Sequence, residues 1–298
     1  MKTIYLPALF LLSFFCCNGK KDVSNQVING IAGTADVNNT KLYYEVIGEG
    51  QPIIFIHGNG GDRRHWDFQF IPLSKEYKVI RYDVRGYGKS ALPNPEESYS
   101  DYEDLKALLD YLRISKAHIC GLSMGSGIAV DFAIVYPEKC ISLIPVGPWV
   151  NGYQSPSTQE VFDSMDQLPS IINEKGIKEA VDFWLEGNDV FAKSFQNSTT
   201  VEKMKTIGYD YSFWGFLNVS KRQSLQPPTR DRLNEIRVPT LIITAENDLQ
   251  ACLEIADLLE NEIQGAKKIS IKNAGHCMNI DEPEQFNELV TDFIQGIK

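Results

Sequence analysis

The sequence is short of positive charge. Twenty-nine Lys and Arg stand against 39 Asp and Glu, a formal net charge of −10 over 298 residues. No basic stripe with interleaved aromatics runs through it, which excludes nucleic acid as the main partner. Cysteine is sparse and scattered. Beyond an N-terminal pair, only Cys120, Cys140, Cys252 and Cys277 remain, too widely spaced for a disulfide framework in a chain of this length. No C-x-x-C pair or His/Cys cluster points to a metal, and no G-x-G-x-x-G follows an expected strand, so no cofactor is implied. Internal repeats and low-complexity tracts are absent. What remains is the composition of an ordinary globular chain, long enough to bury a full core.

The N-terminus has its own character. Lys2 precedes an apolar run from Ile4 to Phe15, and Cys16-Cys17-Asn18-Gly19-Lys20-Lys21 follow. A basic start with a short apolar stretch fits an export signal and is too short for a comfortable membrane span. We read residues 1–19 as that signal. The two cysteines point to a bacterial lipoprotein, periplasmic or membrane-anchored. Phe15 is bulky where a small residue is preferred, so Cys17 is a better lipidation site than Cys16. Residues 20–39 read as a polar tether. Asn38, Asn197 and Asn218 each begin an N-x-S/T triplet, which matters only in a eukaryotic secretory pathway.

From Lys41 onward, short apolar runs alternate with amphipathic stretches. Lys41–Ile47, Ile53–Ile56, Lys78–Tyr82, Ala117–Cys120, Cys140–Val146, Pro239–Ala245 and Ala266–Ile271 read as strands, several of them apolar throughout, as in a parallel sheet covered on both faces. Ser100–Leu112, Ile128–Val135, Ala251–Glu262 and Pro283–Ile294 read as helices. Between Pro148 and about Asp231 the alternation stops, and aromatic, helix-like segments take over. The expected organisation is a mostly parallel, doubly wound α/β sheet: core residues 40–147, an inserted helical cap at 148–230, and core residues 231–298.

Functional groups in open α/β sheets gather at the carboxyl ends of strands. Four such ends carry useful chemistry: His57-Gly58-Asn59, Ser123, Asp248 and His276. Ser123 sits in Gly121-Leu122-Ser123-Met124-Gly125, a strand–turn–helix signature whose glycines let the backbone pass close to a strained serine. Acyl transfer by serine needs a base, an acid to orient that base, and donors for the oxyanion. Ser, Asp, His is the chain order of one known solution. Other histidines read as bland: His118 as structural, His65 as a solvated loop residue.

These stretches resemble the α/β-hydrolase family from about Lys41 to the end. His57-Gly-Asn-Gly60 resembles its oxyanion loop, Asp83-Val-Arg-Gly-Tyr-Gly-Lys-Ser90 its D-x-R-G-x-G-x-S stretch, Gly121–Gly125 its nucleophile elbow, and Ala245–Asp248 and Ala274–His276 its acid and histidine loops. The resemblance implies Ser123 as nucleophile, His276 as general base, and Asp248 as orienting acid, with Glu246 in reserve. It implies an oxyanion hole from the backbone N–H groups of Asn59 and Met124, with His57 bracing the loop and Asp83 and Arg85 structural. Ser126 departs from the glycine often found there. The start of the chain, with its Trp66 segment and Asp83 stretch, resembles enol-lactone hydrolases and small carboxylesterases, so a small ester or lactone is the expected partner. Cap residues Phe183, Trp184, Tyr211, Phe213 and Trp214 are expected to line an apolar pocket. Alternatives are a carbon–carbon bond hydrolase, a prolyl aminopeptidase with Glu186, Asp189 or Asp210 binding the amine, and a non-catalytic ligand-binding protein.

Overall fold

A computed structural model describes residues 9–11, 29–218 and 220–297. Eight strands form the body of one sheet: β2 (Asn29–Val37), β3 (Thr40–Ile47), β4 (Pro52–Ile56), β5 (Lys78–Tyr82), β6 (Ala117–Leu122), β7 (Cys140–Val146), β8 (Leu241–Ala245) and β9 (Lys267–Ile271). A three-residue strand, β1 (Leu9–Leu11), pairs antiparallel with β2 at the edge. The order is β1-β2-β3-β5-β4-β6-β7-β8-β9, and every pairing from β5 to β9 is parallel. Strand order reverses around β4, so the loops after β4 and β6 open side by side.

Strict alternation along the strands builds the two faces. Ile53, Phe55, Cys120, Leu122, Ile144, Val146 and Ile243 face a layer holding α1 (Asp67–Leu73) and the C-terminal helix. Ile54, Ile56, Ile80, Ile119, Leu143 and Ile242 face α2 (Asp101–Tyr111) and α3 (Met124–Val135). Leu105, Leu108 and Leu109 recur at helical spacing on α2 and are fully buried there.

Between β7 and β8 come α4 (Pro156–Met165), α5 (Leu168–Lys175), α6 (Ile177–Asp182), α7 (Asp189–Ala192), α8 (Ser198–Gly208) and α9 (Trp214–Leu217). Phe183–Gly187 forms a π-helical turn after α6, a local widening that carries Trp184. Trp184, Phe191, Phe195, Tyr211 and Phe213 are buried together and continue the sheet-facing cluster. After β8 follow α10 (Gln250–Glu262), α11 (Met278–Asp281) and α12 (Pro283–Gln295).

The tether reading of residues 20–39 needs correction at Asn29–Val37, while residues 20–28 lie outside the described residues. Asn29–Val37 is a strand, paired with β3 from Gly30 to Val37. Its Gly and Ala residues have weak strand propensity, but β3 offers an unpaired edge, and small side chains fit beneath Tyr44. Apart from the residues of β1, the export-signal reading of residues 1–19 lies outside the described residues, as do Cys16 and Cys17. Cys120, Cys140, Cys252 and Cys277 are all free and buried.

Candidate active site

Ser123 stands between β6 and α3 with φ 54° and ψ −115°, a conformation that a side chain adopts only under constraint. Its own N–H donates to Val146 O at 2.9 Å, and its carbonyl accepts from Ser126 N at 2.9 Å. The flanking glycines are required by space. A Cβ on Gly121 would lie 2.7 Å from Ser126 N and closer still to Gly125 O. One on Gly125 would lie 2.6 Å from His57 O and closer still to Ile56 O. Ser126, at the position of the departure noted above, has a use: its Oγ accepts from Trp149 N at 2.7 Å and ties α3 to the chain entering the cap.

His276 and Asp248 meet. His276 Nδ1 lies 2.6 Å from Asp248 Oδ1, which also accepts from Leu249 N at 2.8 Å. The carboxylate fixes the Nδ1–H tautomer and leaves Nε2 as the free nitrogen. The two loops are tied by Asn247 N donating to Ala274 O at 3.0 Å. The cap also grips the histidine loop. His276 N donates to Ser194 O at 3.1 Å, and Gly275 N donates to Asp281 Oδ2 at 2.8 Å, while Thr200 of α8 holds the other oxygen of Asp281. Ser123 and His276 line one cavity. Among the described residues, no hydrogen bond joins the Ser123 hydroxyl to His276, a spacing common in unliganded sites that tighten on substrate. Glu246, the reserve acid, is exposed and accepts instead from Asn273 N at 3.2 Å.

The loop after β4 is braced from below. His57 Nδ1 donates to Gly58 O at 2.8 Å, and Nε2 accepts from Val84 N at 3.0 Å. Complete burial holds the His57 pKa below its usual value. Asp83 accepts from the Arg63 backbone at 2.9 Å and its guanidinium at 3.0 Å, and Arg85 makes a two-pronged pair with Asp104. Both residues are held in ion pairs in this geometry. Met124 is the first residue of α3, so its N–H has no intrahelical acceptor and sits at the positive end of the helix dipole.

The cavity measures about 410 Å³ and lies between core and cap. Trp184, Tyr211 and Trp214 line it, with Met124, Phe195 and Leu249. Trp184 packs directly on the loop after β4: a Cβ on Gly60 would come within 2.5 Å of its ring. Two expected lining residues do not reach the cavity. Phe213 is fully buried behind Trp184, with centroids 6.1 Å apart, and Phe183 packs in the cap. An aromatic stripe does not reveal which of its members face a void. Glu186, Asp189 and Asp210 are exposed and do not line the cavity; Glu186 pairs with Lys205 and Asp210 with Arg64.

Several lining residues escaped the sequence reading. His65 is not solvated. It is buried under the loop after β4, accepts from Gly58 N through Nδ1 at 3.3 Å, and has its pKa lowered to about 3, first by desolvation and then by His57. Its neighbours Gln69 and Asn279 lie too far apart in sequence to be foreseen together. At one end of the cavity Asp101 pairs with Arg222, beside Arg85 and Tyr99. That polar end had no local signal. The Asp248, Cys252 and His276 donor atoms also lie within 4.8 Å of one another. Burial pushes the Cys252 thiol well up, and Nδ1 is engaged by Asp248, so this group is poorly prepared for a metal.

Comparison with known proteins follows the same lines. A sequence profile described as "Alpha/beta hydrolase family" matches residues 53–289. The chain is similar to 3-oxoadipate enol-lactonase 1 of Acinetobacter baylyi, 26% identical over 251 residues, covering 83% of this chain and 89% of that protein. It is 30% identical to 2-hydroxy-6-oxononadienedioate/2-hydroxy-6-oxononatrienedioate hydrolase 2 of Pseudomonas putida over 267 residues, covering 86% and 92%. The crystal structure of an enol-lactonase from Burkholderia xenovorans superposes with a TM-score of 0.71 at 24% identity, covering 88% of this chain and all of that one, a likeness of fold. The strained serine turn, the order of the sheet and a match running through most of both core segments agree, and the chain belongs to the alpha/beta hydrolase family.

Proposed function

We propose that this hydrolase cleaves a small ester or lactone through an acyl-enzyme on Ser123. The observation that carries the reading is Ser123 on its strained turn in one cavity with His276, whose Nδ1 is bonded to Asp248 at 2.6 Å. His276 Nε2 takes the Ser123 proton as Oγ attacks the acyl carbon. Asp248 stabilises the imidazolium that forms. The Met124 and Asn59 N–H groups receive the oxyanion, aided by the α3 dipole. The intermediate collapses, the acyl–oxygen bond breaks, and His276 returns the proton to the leaving oxygen. Water, deprotonated by His276, then attacks the acyl-enzyme and releases the acid. The apolar walls set by Trp184, Tyr211 and Trp214 suit a small acyl group.

A carbon–carbon bond hydrolase is the second reading, favoured by the 30% identity to the Pseudomonas putida enzyme. Prolyl aminopeptidase action loses support, because no cap carboxylate named for it lines the cavity. We further propose that residues 1–19 direct export, with Cys17 as an acceptor for lipid; a Cys17→Ser chain that still partitions with membranes removes the lipid proposal. The catalytic reading is tested with a fluorophosphonate probe and peptide mapping. Labelling of Ser123 together with a burst of p-nitrophenol from p-nitrophenyl acetate is expected. Tight ligand binding with neither label nor burst would mark a binding protein instead.

A further inference from the structure

The loop after β5 places Tyr87 at a junction that no catalytic motif requires. Its hydroxyl donates to Asn59 Oδ1 at 2.8 Å and lies 3.3 Å from Met124 Sδ. It therefore touches the side chains of both residues whose backbone N–H groups face the proposed oxyanion. Asn59 Oδ1 also accepts from Gly60 N at 3.0 Å, so two donors hold that amide oxygen. The Tyr87 ring is itself held. It stacks on Tyr211 of the cap at 4.9 Å and 5°, and meets the edge of His57 at 5.1 Å. Burial raises the phenol pKa to about 12, which keeps it a neutral donor throughout the working range.

His57 and His65 hold Gly58 from below, and Tyr87 adds a hold on Asn59, the residue between Gly58 and Gly60, where the backbone turns through φ +72°. An oxyanion donor acts only where it is aimed in advance, since a loop that must reorganise during reaction loses most of the benefit. We propose that Tyr87 is a positioning residue: through Asn59 Oδ1 it fixes the oxyanion loop, and through its stack on Tyr211 it ties that loop to the cap. The inference rests on the acyl-enzyme reading of the site. It contributes to the rate without touching the reacting atoms.

Tyr87→Phe keeps the ring and its stack and removes only the hydroxyl. We expect kcat for p-nitrophenyl acetate to fall about tenfold, the scale of one neutral hydrogen bond, with KM nearly unchanged. Asn59→Ala removes the acceptor, and the Tyr87→Phe/Asn59→Ala double variant should lose no more than the worse single change, because both act through one bond. Rates are taken per active site titrated with fluorophosphonate, so partial unfolding does not imitate the effect. Additive losses, a change confined to KM, or full kcat in Tyr87→Phe would each overturn the proposal. Ser123→Ala is measured beside them: if it is inactive while Tyr87→Phe is unimpaired, the clamp fails alone, and if it retains turnover, the acyl-enzyme reading fails first.

Discussion

Gly125→Ala and Gly127→Ala differ by two positions on the same helix and should differ sharply in outcome. A methyl group on Gly125 would stand 2.6 Å from His57 O and closer still to Ile56 O, both backbone atoms of the central strand and its exit. Ordinary contact needs ~3.5 Å, so α3 must retreat by ~1 Å. That retreat carries the Met124 N–H and the Ser123 turn with it, and a displacement of ~1 Å in such a site costs about 10²-fold in rate. The same overpacking destabilises by about 1–3 kcal/mol. On Gly127 the nearest atom to the new methyl would be Trp149 O at 3.5 Å, an ordinary contact, and alanine favours the helix by about 0.5–1 kcal/mol. Ester turnover per titrated site and urea midpoints on both variants decide the matter. Wild-type kcat in Gly125→Ala, or equal losses in both, would refute the steric reasoning about the elbow.

Asp248→Asn should lower kcat by about 10⁴ by losing the tautomer that leaves Nε2 free, whereas Glu246→Gln should leave steady-state kinetics unchanged because Glu246 faces solvent. Trp184→Ala removes the side chain packed on Gly60 and is expected to cost about 3–5 kcal/mol in urea unfolding, with KM raised through the widened cavity. His118 is bonded to Ser142 at 2.8 Å and Gln51 at 3.1 Å, and burial lowers its pKa from 6.5 to about 4. The unfolded chain therefore binds this proton first. The contribution of His118 to stability is fully present above about pH 6.5 and is lost as pH falls towards about 4. In His118→Gln, urea midpoints compared at about pH 7 and about pH 5 should show a smaller acid loss than in the wild type.

The parallel core was legible because its strands are apolar on both faces and end in chemically marked residues. Cys140–Val146 lies where the apolar run does, and the order Ser123, Asp248, His276 could be read from strand ends alone. The structure adds what local pattern does not encode. Asn29–Val37 becomes a strand because β3 presents an edge to it, against the propensity of its own glycines and alanines. His65 follows two arginines and looks solvated, yet chain from over two hundred residues away covers it. Phe213 and Trp214 are neighbours with opposite environments, one behind Trp184 and one on the cavity wall, because Phe213, just before α9, has φ 53° and turns its side chain inward. The Asp101–Arg222 pair joins the start of α2 to the chain leaving the cap, and only tertiary structure brings those segments together.

The most direct test of the account is turnover of short p-nitrophenyl esters by the full chain beside its Ser123→Ala variant, with folding of both verified by circular dichroism. The account predicts measurable turnover that falls with lengthening acyl chain and vanishes in Ser123→Ala. Turnover that survives in Ser123→Ala would contradict it, because the acyl group would then have no nucleophile on this strained turn.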